Sequence, residues 1–351
     1  MFVTYSRLAI EDNWVHDFIC AALTTICGAL DEGLREPTWA DLLEQFGCEN
    51  LRQRRTLPAL LQTFGRVAAG CSAACRGEFL NILGRQNQIA SLLDGSIDIP
   101  VAGDDLNALV AAAQEVFEEG FALLSKTRLR DDHYKIIWDN LKNKTCPFCG
   151  LEPFDAPDLR REDEDHYLLR TVYPLAAANL FNLVPMGSKC NKLYKGRIDI
   201  LRSENGRRRA LNPYGDVCLD VSLIGTEPFG GDDKPDWHVT LVPDTEEART
   251  WQDVFSIRDR LTRSVLAPYF ETWLDELPDW FQVRGADDSI SDENLTDILD
   301  GFAAYKTKHK EIGPGFLKNK VLEMLAGHCR IGNQRLIAMV RASLPKQLIS
   351  A

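Results

Sequence analysis

The chain has 351 residues, of which 45% are hydrophobic and 26% charged, an ordinary globular composition with length for two or three domains. No N-terminal stretch shows the charged, apolar, small-residue order of a signal peptide. No apolar run approaches membrane-spanning length, so no membrane insertion and a cytoplasmic location are expected. The net charge of −12 disfavours indiscriminate binding of polyanions, but it is unevenly spread. Residues 231–300 carry 18 acidic and 6 basic side chains, residues 301–351 carry 2 and 9, and residues 141–230 are near balance. A polyanion is therefore expected at the centre or the C-terminal end, with acidic flanks repelling it elsewhere or covering the basic surface until displaced.

Residues 1–140 read as a helical domain. WVHDFICAALTTICGALDEGL, TLPALLQTFGRVAAGCSAA and DLNALVAAAQEVFEEGFALLSK repeat apolar residues near a 3.6 period, and RDDHYKIIWDNLKNK predicts one more helix. Breaks fall at Gly33–Pro37, Gly47, Gly95–Gly103 and Lys126–Asp132. These stripes are read as the core of a bundle. Most of the ten cysteines sit in similar apolar settings, where a thiol acts as a small hydrophobe. In a reducing compartment they do not imply disulfides. Only Cys146 and Cys149, spaced Cys-x-x-Cys, suggest metal.

From Cys146 to about Gly215 turn residues and short runs replace the long periods. DHYLLRTV and LFNLVPM each predict a short strand, and SKCNKLYKGRIDIL predicts a helix after the second. Residues 216–250 hold the β-like pieces VCLDVSLIG and WHVTLVP around a turn-rich segment. Helices return with TWQDVFSIRDRLTRSVLAPYFETWLDEL, NLTDILDGFAAYKTKHK and the basic FLKNKVLEMLAGHCRIGNQRLIAMVRASL. His133, His238, His309 and His328 have no ligand-like spacing and are read as structural or surface residues.

The central pieces resemble the HNH endonuclease family. They are Asp165-His166, then Asn182-Leu183-Val184-Pro185, then Cys190-Asn191 with Lys195-Gly196 behind, preceded by Cys146-Pro147-Phe148-Cys149-Gly150. They span about a fifth of the chain, and their order is what carries the signal. The resemblance implies a ββα-metal fold in which His166 takes a proton from water. Asp165 and Asn191 would hold a divalent cation, Mg²⁺ or Mn²⁺, and Asn182 would hold the loop that orients His166. It implies DNA as partner, nicking of one strand, and products with a 5′-phosphate and a 3′-hydroxyl. The chemistry agrees. Histidine is mostly neutral at cytosolic pH, and one carboxylate with neutral oxygens suits a hard cation. Each piece alone has an ordinary reading: Asn182 capping a turn, Asn191 capping its helix, the cations forming an exposed face.

Lys192, Lys195, Arg197, Arg207, Arg208 and Arg209 are expected to hold a phosphate backbone without reading sequence. A structural zinc of the family would use Cys146, Cys149 and Cys190, but its fourth ligand falls at Gly187. ALNPYGD and the helix after it also resemble HNH proteins of bacterial anti-phage systems such as Septu and type II Zorya, which implies protein partners in defence. The expected fold is α+β and mostly helical, with a ββα core at 141–215 between a helical domain at 1–140 and a mixed, then helical, region at 216–351. Two other readings are open: a non-catalytic nucleic-acid-binding module on a degenerate core, and a ribonuclease toxin.

Overall fold

The computed structural model describes residues 2–100, 102–159, 164–287, 289–309 and 313–344. They are mostly helical, with three short antiparallel strand pairs, an α+β arrangement as expected. The chain forms two compact units. One comprises Thr4–Lys144 with Phe154–Val217, the other Met1–Val3, Thr145–Pro153 and Cys218–Ala351. No helix among the described residues is long and apolar enough to cross a membrane.

The first unit begins with seven helices: α1 (Trp14–Asp31), α2 (Trp39–Phe46), α3 (Thr56–Ala69), α4 (Ala73–Asn87), α5 (Ile89–Asp94), α6 (Asn107–Lys126) and α7 (Leu129–Asn140). The helix expected over 56–74 stops at Gly70. Ser72 then accepts a hydrogen bond from the Cys75 amide and caps α4, which sequence periodicity had not separated. Between α6 and α7 the chain turns at Arg128 (φ 66°), inside the predicted break.

Two short strands follow, β1 (Glu164–His166) and β2 (Leu183–Pro185), paired antiparallel with Glu164 opposite Pro185, Asp165 opposite Val184 and His166 opposite Leu183. Both are shorter than the sequence suggested. After His166 the chain leaves the sheet, and it rejoins only after 3₁₀ turns at Pro174–Ala176 and Leu180–Asn182. The helix expected over 188–201 is a six-residue π-helical segment, Cys190–Lys195, ended by Gly196 at φ 47°. A small hairpin, β3 (Arg202–Ser203) and β4 (Gly206–Arg207), completes this unit.

These strands are not an appendage on a helical bundle. One core joins Ile19 of α1, Phe64 of α3, Phe79 of α4 and Phe117 of α6 to Leu175, Ala177, Ala178, Leu180 and Leu183 around the strands. Truncating a fully buried ring such as Phe117 to alanine costs about 3–5 kcal/mol. Gly120 allows the close approach of α6: a Cβ there would meet Ile19 Cδ1 at 2.4 Å and Ala178 Cβ at 3.0 Å. Residues 4–140 thus form a wall of the same core as the strands.

The second unit contains β5 (Asp220–Ser222) and β6 (Thr240–Val242), paired antiparallel, followed by α8 (Glu246–Phe255), α9 (Ile257–Leu261), α10 (Ala267–Leu274), α11 (Leu277–Val283), α12 (Asp292–Lys308), α13 (Lys318–Arg330) and α14 (Gln334–Ala342). The long helix expected from Thr250 is broken at Ser256, which has φ 49°. In the same unit Phe148 stacks on Trp251 with centroids 4.7 Å apart, and the indole N–H donates to the Phe148 carbonyl at 3.1 Å.

Candidate functional site

Asp165 and His166 end β1, where the strand leaves the sheet. The His166 Nε2–H donates to the Ala177 carbonyl at 2.9 Å. A neutral imidazole carries one N–H, so this bond puts the lone pair on Nδ1. One face of the ring lies against Phe121 of α6, with centroids 4.6 Å apart. Burial drives the His166 pKa down to about 4, the Arg170, Lys195 and Arg130 charges push the same way, and the Ala177 carbonyl opposes them. The ring is therefore neutral at pH 7.

Asn182 is fully buried and acts as a brace. Its Oδ1 accepts from the Leu168 amide at 2.7 Å, and its Nδ2 donates to the carbonyls of Leu168 at 3.0 Å and Ala176 at 3.3 Å. The Tyr167 amide donates to its backbone carbonyl at 2.8 Å. Asn182 thus ties the chain leaving His166 to the turn that presents the Ala177 carbonyl.

The π-helical segment carries Asn191 and Lys195. The Gly196 amide donates to the Asn191 carbonyl at 2.8 Å, an i→i+5 bond that places positions 191 and 195 nearly one turn apart on a common face. Lys195 was expected among surface phosphate contacts. Instead it is fully buried, donating to the His166 carbonyl at 2.9 Å and lying 2.6 Å from Asp165 Oδ2. It cannot reach a nucleic-acid backbone, and it fastens the segment bearing Asn191 to β1. Burial raises the Asp165 pKa, and the Lys195 ammonium offsets part of that rise. Asp165 Oδ2 is buried, and the side chain as a whole is 17% exposed. The Asn191 side-chain amide has no hydrogen-bond partner among the described residues. A carboxylate and an uncommitted amide oxygen are hard donors of the kind Mg²⁺ or Mn²⁺ takes.

A buried ionic chain behind β1 had no sequence signal beyond the ordinary helix of Arg130 and His133. Glu164 accepts from Arg130 Nε at 2.6 Å and from His133 Nδ1 at 2.7 Å, and His133 Nε2 lies 2.8 Å from the Tyr214 hydroxyl. That hydroxyl donates to the Leu183 carbonyl and is therefore the acceptor in its contact with His133 Nε2. Burial alone would raise the Glu164 pKa, but the His133 and Arg130 charges hold it below its ordinary value. The chain braces β1 at Glu164 and β2 at Leu183, the position opposite His166.

Of the other expected phosphate contacts, Lys192 and Arg197 are exposed. Arg207 Nη2 is held by the carbonyls of Leu92 at 2.7 Å and Ile97 at 3.1 Å, and Arg208 Nε by Ile200 O at 3.0 Å. Arg209 is exposed, its stem against Gly95. The Arg207 and Arg208 guanidiniums thus serve first as ties within the fold.

Cys146, Cys149 and Cys190 are all buried thiols. Cys146 and Cys149 lie in a tight turn within the second unit. The Gly150 amide donates to the Cys146 carbonyl at 2.8 Å, Gly150 has φ 71°, and the Leu151 amide donates to Cys149 Sγ at 3.4 Å. Amide donation to sulfur stabilises a thiolate, the form that binds metal. Comparison with protein-family profiles, curated proteins and solved structures finds no match to this chain.

Proposed function

We propose that the protein is a metal-dependent endonuclease of the HNH type that hydrolyses phosphodiester bonds in DNA. The observation carrying this reading is the His166 imidazole, whose Nε2–H is committed to the Ala177 carbonyl so that Nδ1 remains as the base. His166 Nδ1 would take the proton of an attacking water, and the Ala177 carbonyl would hold the resulting imidazolium in place. The Asp165 carboxylate and the Asn191 amide oxygen would hold a divalent cation, which when bound supplies charge neutralisation at the phosphate and the leaving oxygen. Lys195 orients Asp165, and Asn182 fixes the turn that orients His166. A non-catalytic binder would have no use for a base held in one tautomer.

The test is incubation of purified protein with supercoiled plasmid and Mg²⁺ or Mn²⁺, beside His166→Ala and Asn191→Ala. Relaxed circles are expected from the wild type, with rates in His166→Ala lower by about 10²–10⁴. Undiminished cleavage by His166→Ala would remove the base assignment. Metal-dependent cleavage of RNA alone would move the substrate class to RNA.

A further inference from the structure

The loop that presents the Ala177 carbonyl to His166 is held from outside by the ends of two helices of the N-terminal region. Asn13 precedes α1 at the N-cap position, where asparagine ordinarily accepts from a backbone amide of its own first turn. It makes no such bond. Its Oδ1 instead accepts from the Leu180 amide at 3.0 Å, and its Nδ2 donates to Asn179 Oδ1 at 3.0 Å. At the far end of α4, Gln86 Oε1 accepts from the Leu175 amide at 3.0 Å, and Asn87 Nδ2 donates to the Leu175 carbonyl at 3.0 Å. Asn87 Oδ1 accepts from Asn179 Nδ2 at 3.1 Å, which closes the bracket. Gln86 and Asn179 are both buried, at 4% and 5% exposure.

Buried amides are costly unless satisfied, and once satisfied they define one arrangement. This bracket grips the chain two residues before Ala177, at Leu175, and two and three residues after it, at Asn179 and Leu180. A third helix, α6, adds Phe121 against the imidazole face. We infer that the N-terminal helices supply positioning residues for His166: the Asn13–Asn179–Asn87–Gln86 bracket fixes the Ala177 carbonyl and hence the tautomer, and Phe121 fixes the ring plane. This rests on the reading of His166 as the base. It extends the functional site beyond the segment of HNH resemblance into helices that a minimal strand–strand–helix core lacks.

The experiment uses the full chain labelled with ¹⁵N-histidine. Long-range ¹H–¹⁵N spectra report the tautomer of each ring, and the His166 signals are identified by their loss in His166→Gln. The wild type is expected to show His166 as the Nε2–H tautomer. Asn87→Ala should shift it to a tautomer mixture and lower kcat for plasmid nicking by about 10²-fold with KM little changed. Phe121→Leu, which keeps an apolar side chain but removes the ring, should lower kcat in the same way, and Phe121→Tyr should restore it. If Asn87→Ala fails to fold, the Phe121 pair decides. An unaltered His166 spectrum with unaltered kcat in folded Asn87→Ala or Phe121→Leu overturns the inference. A wild type that shows the expected tautomer but cleaves nothing removes the nuclease reading alone, because the spectrum is read without substrate.

Discussion

The Lys195 ammonium lies 2.6 Å from Asp165 Oδ2 and donates to the His166 carbonyl at 2.9 Å, with no exposed surface of its own. One buried cation therefore joins the π-helical segment to both residues at the end of β1. Removing one partner of a buried pair leaves the other charge uncompensated. Lys195→Met is expected to lower stability by about 3–5 kcal/mol. Adding Asp165→Asn to that variant should recover more than half of the loss, because the stranded charge is then gone. Urea unfolding of the four proteins of this cycle checks the coupling; purely additive effects would show that the pair is not what joins the two segments.

Acid should weaken the fold before the carboxylates titrate. His16 and His166 are both buried, and burial lowers each pKa to about 4 from 6.5. Between those values the unfolded chain binds protons that the folded chain refuses, so stability rises with pH there and falls on acidification. At pH 5 each histidine accounts for about 2 kcal/mol at most. The urea midpoint should drop between pH 7.5 and pH 5, and less so in His16→Gln. Glu164 adds a lower window: its folded pKa is depressed, so its contribution is full above about 4.5 and is lost as pH falls through the folded value. A flat midpoint from pH 7.5 to pH 5 would contradict the buried, neutral state of both rings.

Salt dependence separates surface cations from structural ones. Each phosphate contact contributes about −0.9 to the slope of log K against log[salt] on duplex DNA. Arg197→Ala and Lys192→Ala should each reduce that slope by about one. Lys195 is buried, so a folded Lys195 variant should leave the slope unchanged. Fluorescence anisotropy with an inactive His166→Ala background measures it, and a full unit lost on changing Lys195 would place that ammonium at the phosphate after all.

The thiol group gives a prediction that needs no nuclease assay. Zinc held through the Cys146–Cys149 turn should appear as about one equivalent per chain in elemental analysis, bound in the thiolate form. Cys146→Ser and Cys149→Ser should each lower the zinc content and the thermal midpoint, and a strong chelator should reproduce the effect in the wild type. Metal-free protein with an unchanged midpoint would make these cysteines buried hydrophobes.

Much of the site was legible as local pattern. The Asp165-His166 pair at a strand end, the Asn182 brace before Leu-Val-Pro and the Cys-x-x-Cys turn are short-range features, and short-range features are written in adjacent residues. The basic run was read less well. Spacing shows where a cation occurs but not whether its side chain points inward, so Lys195 was placed on the surface although it is among the largest fully buried side chains. α4 has only a weak apolar stripe, so residues 75–87 carry little periodic signal; Ser72 as a helix cap is the signal available. His133 looked unremarkable for the same reason: its partners Glu164 and Tyr214 lie 31 and 81 residues away.

By itself the sequence determined which chemical groups exist and in what order: helices from the 3.6 period, a strand–loop–strand–helix succession, one histidine beside one aspartate. Tertiary structure alone decided the working state of those groups. It chose the lone pair on His166 Nδ1 by bringing up a carbonyl eleven residues on, buried Lys195 against Asp165, and set the ends of α1 and α4 around the turn between the strands. Tautomer, charge state and side-chain orientation depend on groups distant in the chain, and those meet only when the core closes.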